Sequence, residues 1–443
     1  MHLSVYRALR YFKEKMMKVI IAGGGWAGTS AAVAAANAGA EVTVLERADM
    51  LLGTGLVGGI MRNNGRFTAA EEAIALGGGE VFQTIDANCR HKNINFPGHE
   101  HASLYDISLM EPAIRRLLDQ KGVNYMLRAR MQDVEKEGNA VKAVILADGT
   151  RIEGDVFIDA TGSAGPMNNC SKYGNGCCMC ILRCPTFGGR VSLVGKAGIE
   201  EKMGRKADGS IGAMSGSCKL LKDSLSQEIQ DELNETGVCV VPIPEELKKG
   251  DSILAKKACQ QYALPAYADN IVLLDTGHAK LMTPYYPLDL LRQIPGFENV
   301  RFEDPYSGGV GNSMRYMALA PRDNALKVIG LDNVFCGGEK AGLLVGHTEA
   351  IVTGTLAGHN AVRYALGMEL LVLPETIAIG EAISYVNEQM KTEAGMTKKY
   401  TFSGSVYFEH MKEKGLYTID IAEINDRIEK LGLKDVYRRK LVK

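Results

Sequence analysis

The sequence contains no run of about 18 consecutive apolar residues, so a membrane-crossing helix of ordinary length is not expected. It also lacks net charge: 51 Lys and Arg stand against 52 Asp and Glu, giving a formal charge of −1 and a pI near 6.7. Without a broad positive field, a polyanion could be held only by a local basic patch, so nucleic acid is not the expected partner. Aromatic residues are scarce at 7%, with a single Trp, and no internal repeat or low-complexity linker is visible. Repeat solenoids and long disordered tethers are thereby excluded. The first fifteen residues, "MHLSVYRALRYFKEK", lack the apolar stretch and small-residue cleavage site of a secretory signal, and a cytoplasmic location is expected. Residues 1–15 are read as an N-terminal extension.

What is present is a long chain with many small residues and clustered thiols. At 443 residues and 46% hydrophobic content it exceeds what one core usually serves, which predicts two or three domains. Five of its ten cysteines crowd into "CSKYGNGCCMCILRCP" at 170–185. In a reducing compartment such a group reads as metal-binding or redox-active before it reads as a disulfide framework.

From Lys18 the text "KVIIAGGGWAGTSAAVAAANAGAEVTVLER" gives a β-branched run, a glycine turn, an alanine-rich helix, a second apolar run and an acid. Gly23, Gly25 and Gly28 fit G-x-G-x-x-G: the first permits the tight turn, the second lets a pyrophosphate approach the backbone, and the third lets helix and strand pack closely. The phosphates would sit at the helix N-terminus, whose amides and dipole suit an anion. Glu46 closes the second strand, where a carboxylate can accept hydrogen bonds from ribose hydroxyls. Further along, residues 140–165 read as a strand, a turn at Asp148-Gly149 and a strand ending in "DATG"; residues 333–363 read as a strand ending at Gly337-Gly338-Glu339, a loop, and a helix from about His347.

These segments resemble the two-dinucleotide-fold FAD flavoproteins. The resemblance implies FAD rather than NAD as the bound cofactor, with NAD(P)H a candidate electron donor. It implies that Glu339 hydrogen-bonds the ribityl chain and that the helix near His347 aims its N-terminus at the flavin pyrimidine ring. Gly23, Gly25, Ala27, Gly28, Glu46, Arg47, Met131, Thr161, Gly162, Gly338 and Glu339 form the cofactor-binding set so implied. "LLRQIPGFENVRF" at 290–302, "AGLLVGHTEAIVTGTLAGHNAVRYALG" at 341–367 and "LPETIAIGEAISYV" at 373–386 are similar to the glucose-inhibited division protein A group and its relatives, the folate- and FAD-dependent tRNA uracil-5-methyltransferases. Those RNA-modifying enzymes use cysteines, one of them in the loop after the ribose-binding acid. The corresponding loop here, residues 47–65, has none, and neither has "TPYYPLDLL" at 283–291.

The fold class expected is α/β: a discontinuous Rossmann-like FAD-binding domain from 16–165 and 326–370, an inserted α+β substrate domain at 166–325, and a C-terminal helical region at 371–443. Within the insert, Leu220, Leu221, Leu225, Ile229 and Leu233 have helical spacing that stops at Gly237 and predict one amphipathic helix. His91, His99 and His101 in "HKNINFPGHEH" match no metal-ligand spacing and read as a loop. Arg62, with Asn63, Asn64 and Arg66, is placed where the flavin ring would lie, and Arg315 in a glycine-rich connector is a candidate anion-binding group.

Cys177, Cys180, Cys184 and Pro185 reproduce the end of the ferredoxin run C-x2-C-x2-C-x3-C-P, with Cys170 the candidate fourth ligand of a [4Fe-4S] cluster. A flavin-coupled dithiol and inert thiols stand as alternatives. The catalytic candidates are Cys177, Cys180, Arg62 and Arg315. The function expected from the sequence is FAD-dependent hydride or electron transfer with a small-molecule substrate, in a protein compatible with homo-oligomer formation and without a membrane anchor. RNA uracil methylation and non-catalytic electron transfer are the alternatives.

Overall fold

The computed structural model describes residues 17–162, 187–205, 209, 213–215, 218–250, 254, 262–283, 286–303, 313–315 and 317–442. Its centre is a five-stranded parallel sheet made of β1 (Lys18–Ala22), β2 (Glu41–Leu45), β3 (Asn124–Met126), β4 (Val156–Asp159) and β5 (Val334–Cys336), in the spatial order β5-β4-β1-β2-β3. Strands covered on both faces need apolar residues at successive positions, and "VIIA" and "VFID" supply them; Val19 to Ala22 and Val156 to Asp159 are all buried. The register sets Ala22 beside Leu45 on one side and Asp159 on the other, with Asp159 beside Cys336. Four strand ends therefore open at one edge. In a parallel sheet this carboxyl end, where the strand order reverses, is where ligands bind.

Two helices cover the sheet and cross each other closely. α1 (Trp26–Ala38) follows β1, and α2 (His347–Ala365) follows β5. Gly354 and Gly358 of α2 lie against the backbone of α1: a Cβ on either would come 2.2 Å from the carbonyl oxygen of Ala27 or Ala31. Only glycine lets the two helix backbones approach so closely. The late helix is thereby fixed against the helix that begins at the glycine turn.

A four-stranded antiparallel sheet carries the inserted region, in the order Cys218–Leu220, Ala279–Leu281, Asn270–Asp275, Val238–Pro242. The helix against it runs Gln227–Thr236, shorter than the spacing predicts. Leu220 belongs to a strand and pairs with Ala279, Lys222–Ser224 is a 3-10 turn, and the Ser226 side chain accepts from the Ile229 amide to start the helix. Pairing of Leu220 with Ala279 takes the first leucine out of the helical period, and the Ser226 cap then starts the helix after the 3-10 turn. The stop at Gly237 is as predicted, in a left-handed cap with φ 82.

The histidine-rich stretch is not a loop. Cys89–Phe96 and His99–Tyr105 form an antiparallel hairpin turning at Pro97-Gly98, with register shifts along its length. Its Phe96, Ala102 and Leu104 share a core with Tyr267, Val272, Leu274 and Met282 from the inserted region. The C-terminal region is helical, with Ala378–Gln389, Ser405–Glu413 and Ile421–Lys430. The chain then returns to α1, where the Leu441 and Val442 amides donate to the Ala38 carbonyl. No helix among the described residues is long and apolar enough to cross a membrane.

Candidate functional site

A cleft with about 1190 Å3 of empty space, counting its open mouth, runs along the carboxyl edge of the parallel sheet. The glycine turn forms its floor. Gly23 has φ +102, and a Cβ there would meet the Ala160 carbonyl oxygen at 2.4 Å, while a Cβ on Gly28 would lie 1.8 Å from the Gly23 carbonyl oxygen. Gly25 is different: nothing lies within 4 Å of where its Cβ would be. The turn is thus packed shut at its first and third glycines and open at its second, the side from which a phosphate can reach backbone. Thr29 makes the first intrahelical bond, to the Gly25 carbonyl, so the amides of Trp26, Ala27 and Gly28 precede the helix ladder and face the turn's anion-binding end.

Glu46 stands at the end of β2 and lines the cleft. Its Oε2 accepts from the Gly24 amide at 2.8 Å and its Oε1 from the Ala48 amide at 2.9 Å. The carboxylate therefore holds the glycine turn in shape and keeps lone pairs for a diol in the cleft. Asp159, fully buried, does a similar service at β4: it accepts from the Thr161 amide and hydroxyl at 3.0 and 2.6 Å, and from the Val194 amide at 3.0 Å. This explains the "DATG" strand end, since the aspartate pins Thr161 and Gly162 where both line the cleft. The indole of Trp26 donates to the Gly55 carbonyl at 3.0 Å, and the Tyr105 hydroxyl donates to the Leu56 carbonyl at 3.0 Å, which together hold the 53–58 turn over the cleft. Burial pushes the Tyr105 phenol well above its ordinary pKa, so it stays a donor.

Ten of the eleven residues expected to hold the cofactor line this cleft: Gly23, Gly25, Ala27, Glu46, Arg47, Met131, Thr161, Gly162, Gly338 and Glu339. Gly28 stands behind them, packed on Gly23. Sequence reasoning missed Trp26, Arg130 and Arg190, which also line the cleft, whereas His347, expected at the start of the late helix beside the cofactor, lines it too. Trp26 was findable, because it occupies a variable position inside the glycine motif itself, and Arg130 adjoins Met131. Nothing local marks Arg190. An open backbone position at a helix start, a carboxylate at the end of the second strand and a second helix start at Gly346-His347 fit an elongated dinucleotide such as FAD.

The catalytic candidates are placed elsewhere or lie outside the described residues. Arg62 does not line the cleft. Its Nη2 lies 2.7 Å from Asp86 and its Nη1 2.5 Å from Glu71. Burial opposes the charge, but these two carboxylates raise the Arg62 pKa above the ordinary arginine value and consume the donors expected to face a flavin. Asn63 donates to His99 Nδ1, Asn64 bridges the Gly98 and Ser403 carbonyls, and Arg66 pairs with buried Glu349 in the first turn of α2. All three organise the scaffold. Arg315 ends a short strand paired with Ala213–Ser215, and its side chain is outside the described residues. So are Cys170, Cys177, Cys180 and Cys184.

The three described free cysteines, Cys89, Cys239 and Cys336, are each pushed up to about 12 by burial and are poor nucleophiles. Among the described residues no three His, Cys, Asp or Glu side chains converge as a metal set. His91 binds Asp275 at 2.9 Å, His99 the amide of Asn63 at 3.0 Å, and His101 Asn93 at 3.0 Å, so the three histidines face different partners.

Residues 18–167 match the family described as FAD dependent oxidoreductase, and residues 277–369 match glucose inhibited division protein A. The methylenetetrahydrofolate–tRNA-(uracil-5-)-methyltransferase TrmFO of Dictyoglomus thermophilum is 36% identical over 103 residues, which is 23% of this chain and 22% of that protein. The TrmFO of Caldicellulosiruptor bescii is 30% identical over 160 residues, 34% of this chain and 30% of that protein. The matched segments thus span under a third of the length of these relatives. Among solved structures, Aquifex aeolicus GidA in its form II crystal superposes with a TM-score of 0.61 at 15% identity, covering 94% of this chain and 76% of that one.

Proposed function

We propose that this chain, a GidA- and TrmFO-like member of the FAD-dependent oxidoreductase family, binds FAD along the cleft at the carboxyl edge of its parallel sheet. The observation that carries this is the convergence of three separate strand ends on one cleft: the open Gly25 position, the Glu46 carboxylate, and the Gly338-Glu339 turn that leads to α2. Trp26, Ala27 and Gly28 would offer amides to the pyrophosphate. Glu46 would accept from the adenosine ribose, Glu339 from the ribityl chain, and the α2 N-terminus would favour negative charge beside it. Bound there, the cofactor supplies two electrons as a hydride.

Of the reactions open to such a site, one-carbon transfer to a uracil in RNA ranks ahead of oxidation of a small molecule, which reverses the order drawn from sequence. The named relatives support it. It also gives the two electrons a use: a methylene group is at the oxidation level of formaldehyde, and making it a methyl group on uracil requires one hydride. The second reading, oxidoreduction of a small molecule, is favoured by a specific observation: residues 47–65 and 283–291 carry no cysteine, and Cys89, Cys239 and Cys336 stay protonated and outside the cleft. No step is assigned to the thiols of 170–184. The test is incubation of the FAD-loaded protein with methylenetetrahydrofolate, a reductant and an unmodified tRNA transcript, followed by nucleoside mass spectrometry. Appearance of 5-methyluridine supports the first reading; its absence from a protein whose flavin is reduced and reoxidised supports the second.

A further inference from the structure

Residues 187–191, "FGGRV", lie beside Arg47 and Arg130, which line the cleft, and Arg190 and Val191 line it as well. Two guanidinium groups from distant parts of the chain hold this segment. Arg47 Nη1 donates to the Gly188 carbonyl at 2.8 Å, and Arg130 Nε donates to the Gly189 carbonyl at 2.9 Å. Arg47 follows the ribose-facing acid directly and Arg130 follows β3 by four residues, so the two grips come from neighbouring strand ends. Contact is close: Gly188 has φ +80, and a Cβ there would lie 2.7 Å from Arg130 Nε. The far end of the segment is tied to the sheet independently, since the Val194 amide donates to Asp159 at 3.0 Å and Ser192 caps the turn that follows.

We propose that Arg47 and Arg130 are positioning residues that latch the 187–191 strap at the cleft, and that this latch sets how fast the cofactor leaves. The inference rests on the FAD reading. Each grip is a charge-assisted bond to a main-chain carbonyl, a class stronger than a neutral hydrogen bond. The bonds must part before the strap can lift, so they add to the exit barrier. Because Arg190 and Val191 face the cleft, a bound ligand favours the closed strap over the open one, and weakening the latch speeds departure without slowing entry.

Trp26, the single tryptophan, lines the cleft and reports occupancy by its fluorescence. The FAD-loaded protein is diluted and the recovery of Trp26 emission is followed for wild type, Arg130→Met, Gly188→Ala and the double variant. Gly188 does not line the cleft, so its substitution disturbs the latch without touching the cofactor. The expected result is release at least about tenfold faster in each single variant, the lower end of what a charge-assisted bond contributes. The double variant should be no faster than the quicker single one, and association should be unslowed. Faster release in Arg130→Met with wild-type release in Gly188→Ala would assign Arg130 to direct cofactor contact and overturn the latch. If Gly188→Ala fails to fold, hydrogen exchange of the 187–191 amides in loaded Arg130→Met decides: faster exchange than wild type supports the latch, and unchanged exchange overturns it. A wild-type protein that takes up no FAD overturns the cofactor reading and the latch with it, whereas bound FAD with unchanged release in all variants overturns the latch alone.

Discussion

Replacing Glu72 by glutamine should alter how stability depends on pH, because this carboxyl is fully buried and its oxygens accept the Ala378 and Ile379 amides at 2.8 and 2.9 Å. Burial pushes its pKa from 4.5 up to about 7, with the two amides and Arg427 offsetting part of the rise. The folded state therefore holds the proton more tightly than the unfolded chain does, and the associated stability is full below pH 4.5 and lost as pH rises to about 7. That displacement corresponds to about 3 kcal/mol, a large share of the roughly 5–15 kcal/mol that hold a typical domain folded. His359 acts with the opposite sign. Its ring is fully buried against Tyr437 at 5.3 Å, neither nitrogen has a hydrogen-bond partner among the described residues, and burial lowers its pKa from 6.5 to about 4, with Arg363 and Arg439 adding to the drop. Its contribution is full above pH 6.5 and lost as pH falls to about 4, again about 3 kcal/mol. Between pH 4.5 and 6.5 the two slopes oppose each other, so wild-type stability in urea, followed by circular dichroism, should be nearly flat there. Glu72→Gln should lose stability as pH falls through that window and exceed wild type at pH 8. His359→Phe should lose stability as pH rises through it. If both variants track the wild-type profile within about 0.5 kcal/mol, the typical scatter of neutral substitutions, the reasoning fails.

Glu46→Ala and Gly25→Val should each sharply lower FAD occupancy, the first by removing the ribose acceptor and loosening the turn at Gly24, the second by filling the open phosphate position; flavin absorbance per protein reads both. With a formal charge of −1, any tRNA binding should rest on a local basic patch and be salt-sensitive, so filter binding between low and moderate salt should show a loss of affinity; an affinity unchanged by salt would contradict this. Cys89, Cys239 and Cys336 should resist alkylation in the native protein at pH 8, since burial holds them near 12; peptide mapping that finds them labelled before denaturation contradicts their inert role.

The parts of this molecule legible from sequence are those whose causes are local. The turn at Gly23 to Gly28, the acid at Glu46 and the strand ending at Asp159 each follow from neighbours within one βαβ unit or one strand. The hairpin at 89–105 was hidden because Pro97 and Gly98 mark a turn without saying what flanks it, and its bulged register blurs the alternation of a half-buried strand. Leu220 fell on a helical period by coincidence, and pairing with Ala279, fifty-nine positions away (279 − 220), decided its state. Arg62 looked like a free donor near the flavin until the helices carrying Glu71 and Asp86 folded onto it. The grip of Arg47 and Arg130 on Gly188 and Gly189 joins residues 141 and 59 positions apart, and no local pattern announces such contacts.

The cleft between Gly25, Glu46 and Gly338 is the proposed FAD site. The most direct measurement mixes the purified protein with FAD, removes the unbound cofactor by gel filtration, and records the visible spectrum together with Trp26 emission. The account predicts flavin bands retained at about one equivalent with quenched Trp26 fluorescence, and loss of both in Gly25→Val. A wild-type protein that emerges colourless with unquenched Trp26, or a Gly25→Val variant that keeps full flavin content, would contradict it.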